Sequence, residues 1–127
     1  MADRITVVLP WGSLLAAVAR PAPALLAGIR RLCQPKAHLR CILGIDPERD
    51  RAECLRLRLP TLDSIYLKGS LTGAYGTVGF TVTSIKALTA GELAQWPSTW
   101  ARRLAHGRAR PAFQIEADAR PRSTTAL

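Results

Sequence analysis

Apolar positions along this chain switch between strand and helix periods, and the switches lay out its elements. Residues 4–9 are apolar and β-branched on both faces (Ile5-Thr6-Val7-Val8-Leu9), the pattern of a strand inside a parallel sheet. Pro10-Trp11-Gly12-Ser13 ends that run in a tight turn that presents a Trp. Leu14, Leu15 and Val18 open a helical stripe, which Pro21 and Pro23 interrupt. Leu25, Leu26, Ile29 and Leu32 resume it, with Arg30 and Arg31 on the opposite face. A second strand is expected at 38–45, where Leu39, Cys41, Leu43 and Ile45 alternate. Residues 44–59 are polar and charged, a loop with a helical turn around 47–53. Its acids Asp46, Glu48, Asp50 and Glu53, interspersed with Arg49 and Arg51, read as a solvated face.

Thr61 is the expected N-cap of a helix over 62–74, which Gly69 and Gly73 weaken. Gly76 and Gly79 mark a turn before a third strand at 80–87. Thr89-Ala90-Gly91-Glu92 has the form of a capping box opening a short helix that Pro97 stops. Ser98 can cap a further helix over 99–105, ended by Gly107. The last strand is expected at 112–117, with Phe113 and Ile115 inward, and residues 118–127 as a polar, disordered tail. The order β-α-β-α-β-(helical linker)-β gives an α/β fold with a mostly parallel sheet. The last strand follows without a long crossover, so it is expected to run antiparallel. A strand apolar on both faces at the start of the chain needs cover on each side. The sequence predicts that something normally precedes it.

At 127 residues, 48% of them apolar, the chain is long enough for one domain with its own core. No apolar run approaches the roughly 18–20 residues of a membrane span. The N-terminus lacks a basic leader and a cleavage site, so a cytoplasmic location and no membrane partner are expected. Cys33, Cys41 and Cys54 show no metal-ligand spacing and no even-numbered framework, which reads as reduced thiols and no metal site. The net charge of +9 comes mostly from arginine, since the lysines are Lys36, Lys68 and Lys86 alone. A GC-rich genome or affinity for a polyanion could each produce that bias. Position favours the polyanion: Arg102, Arg103, Arg108 and Arg110 crowd the stretch after Trp100. Two Trp beside a basic patch suit a base drawn out of a nucleic acid, whereas Trp96, next to Pro97, reads as packing.

Two stretches, Val8-Leu9-Pro10-Trp11-Gly12-Ser13-Leu14-Leu15 and Ser98-Thr99-Trp100-Ala101-Arg102-Arg103-Leu104-Ala105-His106-Gly107-Arg108, carry a family resemblance together with the element order between them. From about residue 3 to residue 117 the chain resembles the C-terminal half of the aminoglycoside-resistance 16S ribosomal RNA (adenine-N1) methyltransferases, the kanamycin–apramycin resistance type. The resemblance implies half of a seven-stranded Rossmann-like sheet, with residues 1–117 a partial methyltransferase domain running from the fourth strand to the last. It implies S-adenosyl-L-methionine as cofactor and a decoding-site adenine of 16S ribosomal RNA, in the small ribosomal subunit, as substrate. Thr6, Val7, Val8, Leu9, Pro10 and Trp11 would line the cofactor and target-base pocket, and Ser98, Thr99 and Trp100 would close over it. Trp11 and Trp100 would stack on the two faces of the flipped adenine, and the four arginines would hold RNA phosphates. The family's aromatic residue after Leu-Ala is His106 here.

The departure is in what the chain lacks. No Gly-rich loop follows a strand, and no acidic residue ends a following strand to hold a ribose. Gly73, Gly76 and Gly79 precede a strand instead. Neither His38 nor His106 reads as an acid–base catalyst, and methylation at adenine N1 requires none, because that lone pair is already free. Three readings therefore stand: part of such a methyltransferase acting with an N-terminal half, a non-enzymatic RNA-binding remnant, or a decayed fragment.

Overall fold

The computed structural model describes residues 2–21, 23–46, 48, 50–89, 91–92 and 112–121. Strand β1 (Ala2–Val8) leads into helices α1 (Gly12–Ala19) and α2 (Pro23–Arg31), then strand β2 (Cys33–Gly44). Helix α3 (Arg51–Leu57) follows, then α4 (Ser64–Tyr66), a π-helical turn (Leu67–Leu71), α5 (Thr72–Thr77), β3 (Phe80–Leu88) and β4 (Ala112–Ala119). The sheet order is β1-β2-β4-β3. β1 pairs in parallel with β2, while β4 lies antiparallel between β2 and β3. Three strands thus point one way and the last the other, as expected. Because β4 is inserted, two of the three ladders are nevertheless antiparallel. The strand inserted last closes the sheet between two elements already made.

Alternation sorts the two faces of the sheet. Ile5 and Val7 of β1, Leu39, Cys41 and Leu43 of β2, Ile115 and Ala117 of β4, and Phe80 and Val82 of β3 pack with Leu15, Leu26, Leu57, Leu67 and Tyr75 of the helices. That is the main core. The opposite face carries Arg4, Thr6, His38, Arg40, Gln114, Glu116 and Asp118, and no helix among the described residues covers it. Its one apolar patch, Leu9, Ile42 and Ala112 with Val8 and Leu88, gathers at the end where β1 finishes. β1 is an edge strand, half-exposed along most of its length.

Helix α1 is apolar all round past its exposed first turn because it is enclosed there: Leu15 through Ala19 are buried. Its last carbonyls have no partner within the helix. The Tyr75 hydroxyl donates to Val18 O at 2.6 Å and the Tyr66 hydroxyl to Ala19 O at 2.7 Å. Two buried or half-buried phenols therefore close a helix end that carries no basic residue.

Several expectations need correction. The helix expected from Thr61 begins instead with Asp63, whose carboxylate accepts from Tyr66 N–H at 2.8 Å. It runs to Thr77 through the π turn, with Leu67, Leu71 and Tyr75 buried along one face. The tail does not start at residue 118: Asp118 pairs with His38 and Thr81 in the ladders, and Ala119 is buried. The expected capping box is present, with Thr89 N–H donating to Glu92 Oε1 at 3.0 Å and Glu92 N–H to Thr89 Oγ1 at 3.1 Å. Cys33, Cys41 and Cys54 are free thiols. Burial pushes Cys41 up to about 12, against a hydrogen bond with Tyr75 that lowers it.

On the open face Arg40 donates to Glu116 Oε1 at 2.9 Å, and His38 sits between Asp118 Oδ1 at 2.9 Å and Glu116 Oε1 at 3.3 Å. The Arg40 hydrogen bond leads the effects that hold the Glu116 carboxyl below its ordinary value, with His38 contributing. A depressed carboxylate stabilises the fold above its unfolded value and ceases to do so as pH falls through its folded one. Glu116→Gln should therefore flatten the decline in stability below about pH 4.5, read by urea titrations at a series of pH values. An unchanged pH dependence would show that the pair contributes nothing.

Candidate functional site

The carboxyl ends of β1 and β2 and the start of β4 form one rim of the sheet, and the Trp11 turn rises from it. The turn is built from backbone conformations that side chains rarely adopt. Leu9 has φ +50° and Gly12 φ +60°. A left-handed leucine costs of order 1 kcal/mol and persists only where its surroundings hold it. Here its N–H donates to Ile42 O at 2.8 Å and its side chain packs on Ile42 and Ala112. Gly44 makes room, since a Cβ there would lie 2.8 Å from Leu9 Cδ2. Pro10 is buried, and Trp11, with extended backbone, is left 53% exposed at the head of α1.

The other anchor is Glu53, only 7% exposed. Its Oε2 accepts the Gly12 N–H at 3.1 Å, and its Oε1 accepts from Arg56 Nε at 2.7 Å. This corrects the solvated-face expectation for Glu53: the carboxylate is turned inward, where it satisfies a donor at the start of α1 and complements the positive end of that helix. The turn over 46–50 sets α3 in place for this, with Asp46 N–H donating to Asp50 Oδ2 at 3.0 Å. An acid three residues past the helix start at Asp50, three positions from a basic partner on the same face, is an ambiguous signal in sequence. The distant N–H that claims it cannot be read there.

The other expected site residues fall as follows. Thr6 and Val8 lie on the open face, Thr6 exposed and Val8 half-buried, while Val7 points into the helix-side core. His38 lies toward the opposite end of the sheet from Trp11, in register with Arg4 and Asp118. Gly76 and Gly79 lie at that far end too, beside Arg120 and Arg30, well away from the rim. Trp96, Ser98, Thr99, Trp100, Arg102, Arg103, His106, Arg108 and Arg110 lie outside the described residues. Among the described residues no group of His, Cys, Asp and Glu could hold a metal ion, and no single helix is long and apolar enough to cross a membrane.

Comparison with known proteins places this geometry. The family model described as "NpmA: 16S rRNA (adenine(1408)-N(1))-methyltransferase" matches residues 1–119. The 16S rRNA (adenine(1408)-N(1))-methyltransferase of Escherichia coli is 31% identical over 116 residues, covering 91% of this chain and 53% of that protein. The crystal structure of the aminoglycoside resistance methyltransferase NpmB1 is similar at 36% identity and TM-score 0.73, over 93% of this chain and 52% of that one. A mutant of the 16S rRNA (adenine(1408)-N(1))-methyltransferase from Catenulisporales acidiphilia, solved with cosubstrate SAM, is similar at 28% identity and TM-score 0.73, over 96% and 55%. The chain thus spans about half the length of the relatives it matches, and it belongs to the family of 16S rRNA (adenine(1408)-N(1))-methyltransferases.

Proposed function

We propose that this chain is the RNA-facing half of an S-adenosyl-L-methionine-dependent methyltransferase that modifies N1 of an adenine in 16S ribosomal RNA, of the kind associated with aminoglycoside resistance. It would act together with a polypeptide that supplies the first half of the sheet, and its location would be that of its substrate, the small ribosomal subunit in the cytoplasm. The observation that carries the reading is a Trp held out from the rim by a strained Leu9, a spacer Gly44 and a buried Glu53, in a chain of this family. A turn fixed at both ends holds an indole ready without a further ordering cost.

The residues of this chain fit the cofactor only in part. Thr6 through Pro10 would supply one wall of the cofactor pocket, Val7 through its main chain because its side chain is committed to the core. No Gly-rich loop stands at the ends of β1 or β2, and the acid just past β2, Asp46, is engaged in its own turn, its Oδ1 accepting from Glu48 N–H at 3.0 Å. When bound, the cofactor supplies a methyl group on a sulfonium. The chain's own work is to receive and orient the base. Trp11 and Trp100 would flank the extruded ring, and stacking on aromatic faces offsets extrusion by about 1–3 kcal/mol per base. As N1 is methylated the ring becomes cationic, and an indole face stabilises that charge increasingly. The Leu9 or Pro10 carbonyl can accept from the exocyclic amino group and so favour adenine over guanine. Arg102, Arg103, Arg108 and Arg110 would hold phosphates.

The second reading, a non-enzymatic RNA-binding module, is favoured by the missing ribose and methionine anchors alone. Titration calorimetry on the 127-residue chain separates its parts. We expect negligible S-adenosyl-L-methionine binding, together with RNA binding that weakens steeply with salt and again on Arg108→Ala with Arg110→Ala. Adding the first half of the family's sheet as a separate polypeptide should restore cofactor binding and methyl transfer to small subunits. RNA binding with no restored transfer would select the module, and tight cofactor binding by the chain alone would overturn the half-site reading.

A further inference from the structure

At the end of the sheet opposite Trp11, three segments distant in sequence line one open pocket of about 510 Å³, and two of them bring arginines to it. Arg30 and Arg31 come from the last turn of α2, and Arg120 from the exit of β4, with Thr77 and Gly79 of the α5–β3 turn and Pro121 completing the lining. Arg30 is only 7% exposed and is fixed there. Its guanidinium donates to Cys33 O at 3.2 Å and to Arg120 O, while the Arg120 guanidinium donates to Gly76 O. Gly79 lets the chain pass over this cation: its φ is +103°, and a Cβ would lie 3.1 Å from Arg30 Nε. Arg120 N–H closes the corner by donating to Gly79 O at 2.8 Å.

The cations here are uncompensated. Elsewhere Arg40 pairs with Glu116, Arg56 with Glu53 and Lys86 with Glu92. No acidic residue lines this pocket, and among the described residues neither Arg30, Arg31 nor Arg120 forms an ion pair. The nearest acid along the strand, Asp118, is engaged with His38. Basic residues do suit the carbonyl end of α2. That accounts for Arg30 and Arg31, but not for Arg120, ninety positions away from Arg30, or for a concavity between them. Guanidinium groups fixed by carbonyls and lacking carboxylates match the planar donor geometry that oxyanions accept.

We propose that this pocket is a phosphate-binding site, remote from the Trp11 rim and independent of methyl transfer. Arg31, exposed and without a hydrogen bond among the described residues, is the arm that closes on the ligand, and Arg30 and Arg120 form its fixed floor. The phosphate can be a free phosphorylated compound or a diester of an RNA strand.

The test is a titration of the isotopically labelled chain with inorganic phosphate, following the arginine side-chain and Gly79 amide resonances by NMR. We expect saturable shifts confined to the pocket, in the millimolar range usual for a lone anion, and about tenfold weaker binding in Arg31→Gln. Arg31→Lys should recover part of the loss. Arg31 is exposed and unpaired, so its replacement leaves the fold intact, which circular dichroism verifies. Absence of saturable shifts in the parent chain, or equal affinity in a folded Arg31→Gln, would overturn the site. A short single-stranded RNA distinguishes the sources. If RNA displaces phosphate from these resonances, and the salt dependence of its affinity falls by about 0.7 on Arg31→Gln, the natural ligand is an RNA diester. If RNA leaves them unmoved while phosphate still binds, the ligand is a free phosphorylated compound.

Discussion

Trp11→Ala, in a methyltransferase assembled from this chain and the first half of a family member, is expected to lower methyl transfer to small ribosomal subunits about five- to a hundredfold. The range is the removal of about 1–3 kcal/mol of stacking on the extruded base. The loss should appear in kcat as well as in kcat/KM, because attraction between the indole and a ring gaining positive charge grows toward the transition state. Trp11→Phe should recover part of it. The same substitution should barely move the unfolding curve, since the indole is half in solvent and the turn is held by Leu9, Gly44 and Glu53 instead. Full activity in a folded Trp11→Ala enzyme would remove Trp11 from the target-base site. Trp100→Ala provides the matching experiment on the other proposed cover, and the loss in the double variant should depart from the sum of the two single losses only if the rings act on one base.

Glu53→Ala should cost about 2–3 kcal/mol of stability, read as a lower urea midpoint with an unchanged slope. A hydrogen bond to a charged group contributes about 1.5–3 kcal/mol, and its loss would leave the Gly12 N–H unpaired beneath the head of an enclosed helix. The ion pair adds little, because the Arg56 side chain is 62% exposed. Glu53→Gln keeps an acceptor and should recover most of the loss. Since Gly12 adjoins Trp11, Glu53→Ala should also loosen the indole, visible as a shift of Trp11 fluorescence toward that of free Trp in water. A change below about 0.5 kcal/mol would mean that water takes over the role of the carboxylate.

What could be read from the amino acids was what neighbours in sequence decide. Thr89 and Glu92 form their capping box between residues three apart, and Pro21 and Pro23 break α1 from α2 through their own rings. The reversed direction of β4 was read from the element order, although its connection over residues 89–111 is long enough for either sense. Contacts between distant segments were not legible. Glu53 is buried by a donor 41 residues earlier, and the π turn at Leu67–Leu71 has no local signal in its residues. At the site, the Trp11 turn was visible as Pro-Trp-Gly after an apolar run. Its fixing was not, because the left-handed Leu9 depends on the space that Gly44 leaves on the neighbouring strand, far away in sequence. The arginine pocket escaped for the same reason: Arg30 and Arg120 are joined only by folding.

The insertion of β4 has a consequence for biosynthesis. Segments emerge from the ribosome in order, yet the middle of this sheet is the last piece to appear. Until residues 112–119 clear the exit tunnel, β2 and β3 have no common neighbour, and the nascent chain carries three incomplete edges that chaperones or other strands can seize. Completion then demands pairing across some seventy to eighty positions, a slow, long-range step. A premature stop before β4 would therefore leave β1 on β2 but cut β3 loose from the sheet, rather than trim one strand from its margin.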